Sequence, residues 1–172
     1  MLGESHHGDD PESVNMTVPV VEDWLSGTSS PPYRFFTHLA VALSGQEPWQ
    51  LDRKAVFEPI AFYNYVKKVM PRARVSPEKV DFEESEGAFR EIVEQLKPTH
   101  IAVCGNRLWV NLPAFDSPDT NGASAVLGDK EFEIGRYRTA SAAPLAMCIR
   151  HPQSGFNGRD WHPRIQAFLA ID

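Results

Sequence analysis

Met1-Leu2-Gly3-Glu4-Ser5-His6-His7-Gly8-Asp9-Asp10 is the stretch from which the fold is read. An apolar pair runs into a glycine, then an acid, a hydroxyl residue, two imidazoles and a second glycine. That order describes the end of a buried strand turning sharply into a polar loop, with Gly3 and Gly8 supplying backbone freedom where a bulkier residue would clash. In an open α/β sheet, the loop at the carboxyl end of a strand is where ligands sit and catalytic side chains collect. The competing reading is an untethered tail whose histidines do nothing. The rest of the chain decides between them.

Three further apolar runs repeat the pattern. Ile60–Val66 follows Pro59 and is interrupted by one amide, Asn64; Thr99–Gly105 ends in glycine; Pro144–Ile149 runs straight into Arg150-His151-Pro152-Gln153-Ser154-Gly155-Phe156. Each reads as a buried strand. Between them lie helical patterns. Tyr33–Ser44 repeats Phe36, Leu39, Ala40 and Leu43, and Glu83–Leu96 sets Phe89, Ile92, Val93 and Leu96 on one face. A short helix is expected around Val20–Leu25, closed by Gly27, and a last one over Pro163–Leu169. Asn106–Trp109 opens a helix or turn, and Glu47–Glu58 reads as irregular or briefly helical. Residues 113–128 read as loop. Glu131–Arg138 alternates Phe132, Ile134 and Tyr137 with charges, broken by Gly135, and reads as a hairpin arm. Strands alternating with helices imply a mostly parallel, four-stranded sheet covered on both faces, a three-layer α/β/α domain spanning residues 1–172.

Composition fits one soluble globular domain: 172 residues, 42% hydrophobic and 23% charged. No apolar run approaches the ~20 residues of a membrane span, and no basic segment precedes an apolar one, so no membrane partner is expected. Cys104 and Cys148 each sit in an apolar run, which suits reduced, buried thiols in the cytoplasm better than a disulfide framework. The net charge of −6 argues against a surface that grips nucleic acid everywhere, but leaves room for a local basic groove. His6 and His7 are adjacent, so their side chains diverge in extended backbone, and no HxxxH or HExxH spacing is present. Neither a metal nor an organic cofactor is expected.

In a parallel sheet the carboxyl ends of all strands meet at one edge. Glu4 and Ser5, Asn64, Gly105, and His151 with Ser154 therefore converge although scattered in sequence. An acid, an amide, a histidine and a proline-stiffened loop in one crevice suit recognition of a planar heterocycle and hydrolysis of a bond to it.

At these residues the chain resembles the uracil-DNA glycosylase superfamily. That superfamily carries a first motif of the Gly-Gln-Asp-Pro-Tyr-His or Gly-Glu-Ala-Pro-Gly type. A proline-rich loop enters a helix, a strand ends in a recognition Asn, an apolar strand ends in Gly, and a last strand runs into His-Pro-Ser. The corresponding pieces here are Gly3-Glu4-Ser5-His6-His7-Gly8, Pro31-Pro32-Tyr33, Phe62-Tyr63-Asn64, Ile101–Gly105 and His151-Pro152-Gln153-Ser154-Gly155.

The resemblance implies a monomeric DNA glycosylase that flips a nucleotide from a single- or double-stranded substrate and hydrolyses its base–sugar bond. It implies that Asn64 reads the base edge and that His151 stabilises the departing anionic base. Pro31, Pro32, Ser154 and Gly155 would lie against the DNA. Phe156 would be the wedge that fills the vacated stack, with Arg159 the polar alternative or a phosphate contact. The first motif departs from the pattern. Ser5 stands where the family has its water-activating Asp, and Ser5 cannot serve as a base unaided, so Glu4 is the expected carboxylate, with Asp9 and Asp10 as second choices. His7 replaces the residue that packs against the base, which opens the pocket to 5-substituted pyrimidines. Phe35, Phe36 and Tyr63 are the candidate stacking rings. The first strand, with only Met1 and Leu2 before the glycine, is expected to be a stub. Two other readings stand beside this one: a catalytically silent relative that binds nucleic acid or a nucleotide, and a small-molecule hydrolase or binding domain.

Overall fold

β3 (His100–Cys104) is the strand on which the sheet is built. It pairs in parallel along its whole length with β6 (Leu145–Ile149), in the register His100↔Leu145 to Cys104↔Ile149. Alternation across its two faces explains why so short a segment organises the domain. Ala102 and Cys104 enter one apolar cluster, with Trp24, Phe36, Leu39, Ile165 and Phe168. Ile101 and Val103 enter the other, with Tyr65, Phe82, Phe89, Val93 and Leu108. The computed structural model describes residues 1–8, 16–28, 33–72, 75–116, 124–127, 130–153 and 155–171.

The helices sort by cluster. α1 (Thr17–Ser26), α2 (Arg34–Ser44), α3 (Arg53–Phe57) and α6 (Gly158–Leu169) supply the first; α4 (Lys79–Leu96) and α5 (Asn106–Asn111) supply the second. α1 is held by Trp24, which has no exposed surface. Its indole Nε1–H donates to Thr37 Oγ1 at 3.2 Å, and the Arg53 guanidinium lies 5.3 Å from the ring centroid. α4 starts four residues before the helix read from the sequence, because Glu78 and Asp81 form a reciprocal capping box there. No described helix is long and apolar enough to cross a membrane.

The stub strand expected at the first motif is present. β1 (Leu2–Gly3) lies between β2 (Tyr63–Asn64) and β3 and is parallel to both. β2 is shorter than the apolar run Ile60–Val66, because β1 offers it only the pairs Leu2↔Tyr63 and Gly3↔Asn64. The chain stays tied just beyond: Tyr65 N–H donates to Gly3 O at 2.9 Å and Val66 N–H to Glu4 O at 2.8 Å.

The sheet does not stop at four strands. β5 (Lys130–Arg136) pairs antiparallel with β6, and β4 (Ser124–Leu127) pairs antiparallel with β5, giving the mixed order β2-β1-β3-β6-β5-β4. The expected hairpin arm is thus part of the main sheet. Gly135, which broke its alternation, allows this packing: a Cβ there would fall 2.1 Å from the Phe115 ring.

Tyr63 carries a buried phenol oxygen with no hydrogen-bond partner. Stranding such a donor costs about 1–3 kcal/mol. Tyr63→Phe is therefore expected to raise stability by about 1 kcal/mol, read as a higher urea midpoint at unchanged slope.

Candidate active site

The carboxyl ends of the parallel strands open into one cavity of about 680 Å³, lined by Glu4, Ser5, Asn64, Gly105, Arg107 and His151 together with Phe35 and Phe62. Of the residues expected to converge, Glu4, Ser5, Asn64, Gly105 and His151 do so.

Gly3 sets the floor, and for a reason other than the one read from the sequence. It is not among the residues with positive φ. What requires glycine is close approach, since a Cβ would fall 2.2 Å from Asn64 Oδ1 and 2.8 Å from the Phe62 ring. Asn64, 7% exposed, is thereby pressed against the strand end. Its side-chain amide takes no hydrogen bond among the described residues, so its donor and acceptor are available to whatever fills the cavity.

His151 leaves β6 and packs over Gly105, whose φ of 111° and lack of a side chain both serve the turn into α5. Its Nδ1 accepts from the Gln153 N–H at 3.2 Å, which places the proton of the neutral ring on Nε2. Burial holds the imidazole below its ordinary pKa. Arg107 and His7 push the same way and Glu4 opposes them. The loop is pinned from behind by the His38 Nδ1–H donating to the Pro152 carbonyl at 2.6 Å. Phe35 lies 5.5 Å from the imidazole and 5.7 Å from Phe62, centroid to centroid. The arrangement is a neutral N–H donor beside an aromatic corner.

Glu4 is gripped rather than free. Arg107 Nε donates to Oε2 at 2.7 Å and Nη2 to Oε1, while Nη1 reaches Ser76 Oγ. Glu4 is 11% exposed and Arg107 54%. The carboxylate in turn holds the guanidinium above its ordinary pKa. Arg107 was not read as a site residue. The available signal is its place two residues after a strand-ending glycine, in the first turn of α5.

The two imidazoles diverge as expected. His6 is half-buried with Nε2 2.9 Å from Thr17 Oγ1, which ties the first loop to α1, and His7 is exposed at the rim. Burial, and then His7, lower the pKa of His6. Ser5 Oγ is buried without a partner. Among the described residues no group of three or more His, Cys, Asp and Glu is placed to hold a metal ion. Cys104 lies at the base of the cavity, with its thiol pushed up to about 12 by burial.

Two expectations are corrected. Tyr63 lies outside the cavity, because alternation turns it toward the α4 side of the sheet, and Phe62 and Phe35 supply the aromatic walls instead. Phe156 is 7% exposed and stacks on Trp161 at 5.7 Å, with His38 on a near-parallel plane, so it is a core anchor rather than a wedge. Arg159, in the first turn of α6, is ion-paired with Glu47. Gly155 keeps a loop conformation, with φ 58°, against Arg150. Pro31, Pro32, Ser154, Asp9 and Asp10 lie outside the described residues.

Two neutral imidazoles fix the sign of the acid response. With the folded values below 6.5 and the unfolded values at it, the unfolded chain binds more protons in the window just below 6.5, so stability rises with pH there. Urea midpoints are expected to fall as the pH is lowered from about 7.5 to about 5, and to fall less in a His6→Asn/His151→Asn variant.

No family model, curated protein or solved structure matches this chain.

Proposed function

We propose that this chain is a DNA glycosylase with a three-layer α/β/α domain of the uracil-DNA glycosylase type. In this reading it hydrolyses the N-glycosidic bond of a flipped-out damaged, deaminated or modified base and leaves an abasic site. The observation that carries the reading is the meeting of Glu4, Asn64 and His151, from three separate strand ends, around one aromatic-walled cavity.

The chemistry follows from the parts. A flipped base enters beside Phe35 and Phe62, and the unpartnered amide of Asn64 pairs with its polar edge. The bond between C1′ and the base nitrogen breaks with its electron pair going to the base. The Nε2–H of His151 stabilises the charge that develops on a base oxygen. Water adds to C1′, positioned by Glu4, whose negative charge also favours the cationic sugar. The water's proton leaves to solvent or to the departing base. DNA is the proposed partner and a cytoplasmic monomer the proposed form.

A silent, nucleic-acid-binding relative is the second reading, favoured by Ser5 in the water-activating position and by Arg107 occupying both oxygens of Glu4. Oligonucleotides carrying uracil, hypoxanthine, xanthine, mispaired thymine or bulky modified pyrimidines separate the two. Alkali-labile sites on any of them that disappear in Asn64→Ala and His151→Ala support the glycosylase. Binding without cleavage supports the silent relative. Absence of binding leaves a small-molecule domain.

A further inference from the structure

We propose that Arg107 is a positioning residue that keeps Glu4 neutralised in the free protein and releases it when a nucleic-acid phosphate takes its guanidinium fork. The inference rests on the glycosylase reading and adds a coupling between strand binding and chemistry.

A carboxylate with both oxygens in a guanidinium fork is a weak proton acceptor, and the pair as a whole offers little net charge to a cationic sugar. The closed pair is therefore the wrong state for the hydrolysis. Exposure identifies the partner able to leave. Glu4 is 11% exposed and its backbone carbonyl is fixed by Val66, whereas Arg107 is 54% exposed. Among the described residues the guanidinium's other hydrogen-bond partner is the Ser76 hydroxyl, which is neutral. The other titratable groups lining the cavity are His6, His7, Tyr33, Cys104 and His151.

A phosphodiester presents two unbridged oxygens at the spacing of a carboxylate, so it replaces Glu4 on the fork without leaving the guanidinium bare. The exchange passes the positive guanidinium from Glu4 to the DNA phosphate and leaves Glu4 ionised inside the cavity. There the developing positive charge on the sugar takes over as its partner. A strand that did not reach Arg107 would leave Glu4 neutralised.

Binding of a lesion-free oligonucleotide, measured against salt for the wild type, Arg107→Gln, Arg107→Lys and Glu4→Gln, tests the exchange. Arg107→Gln is expected to flatten the plot of log affinity against log salt by about one unit. Arg107→Lys is expected to keep the slope. On a cleaved substrate, Arg107→Lys should raise the half-saturating DNA concentration by a larger factor than it lowers the saturated rate. Glu4→Gln, which frees the fork, is expected to bind the lesion-free strand about two- to fivefold more tightly. An unchanged slope in Arg107→Gln together with unchanged or weaker binding by Glu4→Gln overturns the proposal while leaving the glycosylase reading intact. Failure of the wild-type protein to bind any oligonucleotide overturns both.

Discussion

Glu4→Gln is expected to lower single-turnover base excision by about a hundred- to ten-thousandfold, the range over which a positioned acid–base group acts. The substitution keeps shape and removes charge. The amide can neither carry the negative charge that the cationic sugar needs nor accept the Arg107 fork on both of its terminal atoms, one of which is now an N–H donor. The fold should tolerate the change, because the Glu4 contact that stitches the sheet is its main-chain carbonyl, which still accepts from Val66. The Arg107 side of the lost pair is more than half exposed, so the loss of stability is expected to stay near that of a surface pair, up to about 1 kcal/mol. Rapid-quench excision assays beside urea denaturation separate the two quantities. Excision at the wild-type rate by the folded variant would remove Glu4 from the chemistry.

Trp24→Ala is expected to cost about 3–5 kcal/mol, the range for emptying a fully buried aromatic site. Trp24 is the centre of a ring cluster, 4.7 Å from Phe57 and 5.7 Å from Phe36, and its indole also holds Thr37 and stacks under Arg53. Four neighbours from α2 and α3 cannot all collapse into the gap. The effect should reach the site, because α1 carries Thr17, the partner of His6, and Val20, which lines the cavity. Urea unfolding gives the loss directly. In protein that remains folded, a changed His6 imidazole signal reports the loosened wall.

The parts of this architecture that were legible in the sequence are those fixed by local pattern. β3 and β6 are apolar runs bounded by proline or glycine, and pairing along their full length needs nothing else. Asn64 and His151 stood out because a polar residue interrupts or follows such a run. Glu4 stood out because it follows a glycine at a strand end. The rest depends on contacts between distant segments. The partner of Glu4 lies 103 residues away, and no spacing links the two. Tyr63 opens a strand of two residues and Phe62 stands just before it, a strand too short for alternation to declare which ring faces the cavity. Phe156 reads as a wedge from its loop and becomes an anchor only through Trp161 and His38. β5 escaped the strand count because Gly135 interrupts its pattern, and the ring that fills the gap comes from Phe115.

The two-residue β1 also governs how the protein opens. It is the only described link between β2 and β3, and the residue after it is Glu4. Withdrawing Leu2–Gly3 by a fluctuation frees the amides of Tyr65 and Val66, detaches β2 and carries the carboxylate out of the cavity in a single event. Hydrogen exchange at those two amides is thus a clock for the integrity of the site. Sheet closure and site assembly are one cooperative step, and this route offers no intermediate in which the sheet is whole and the cavity lacks its acid.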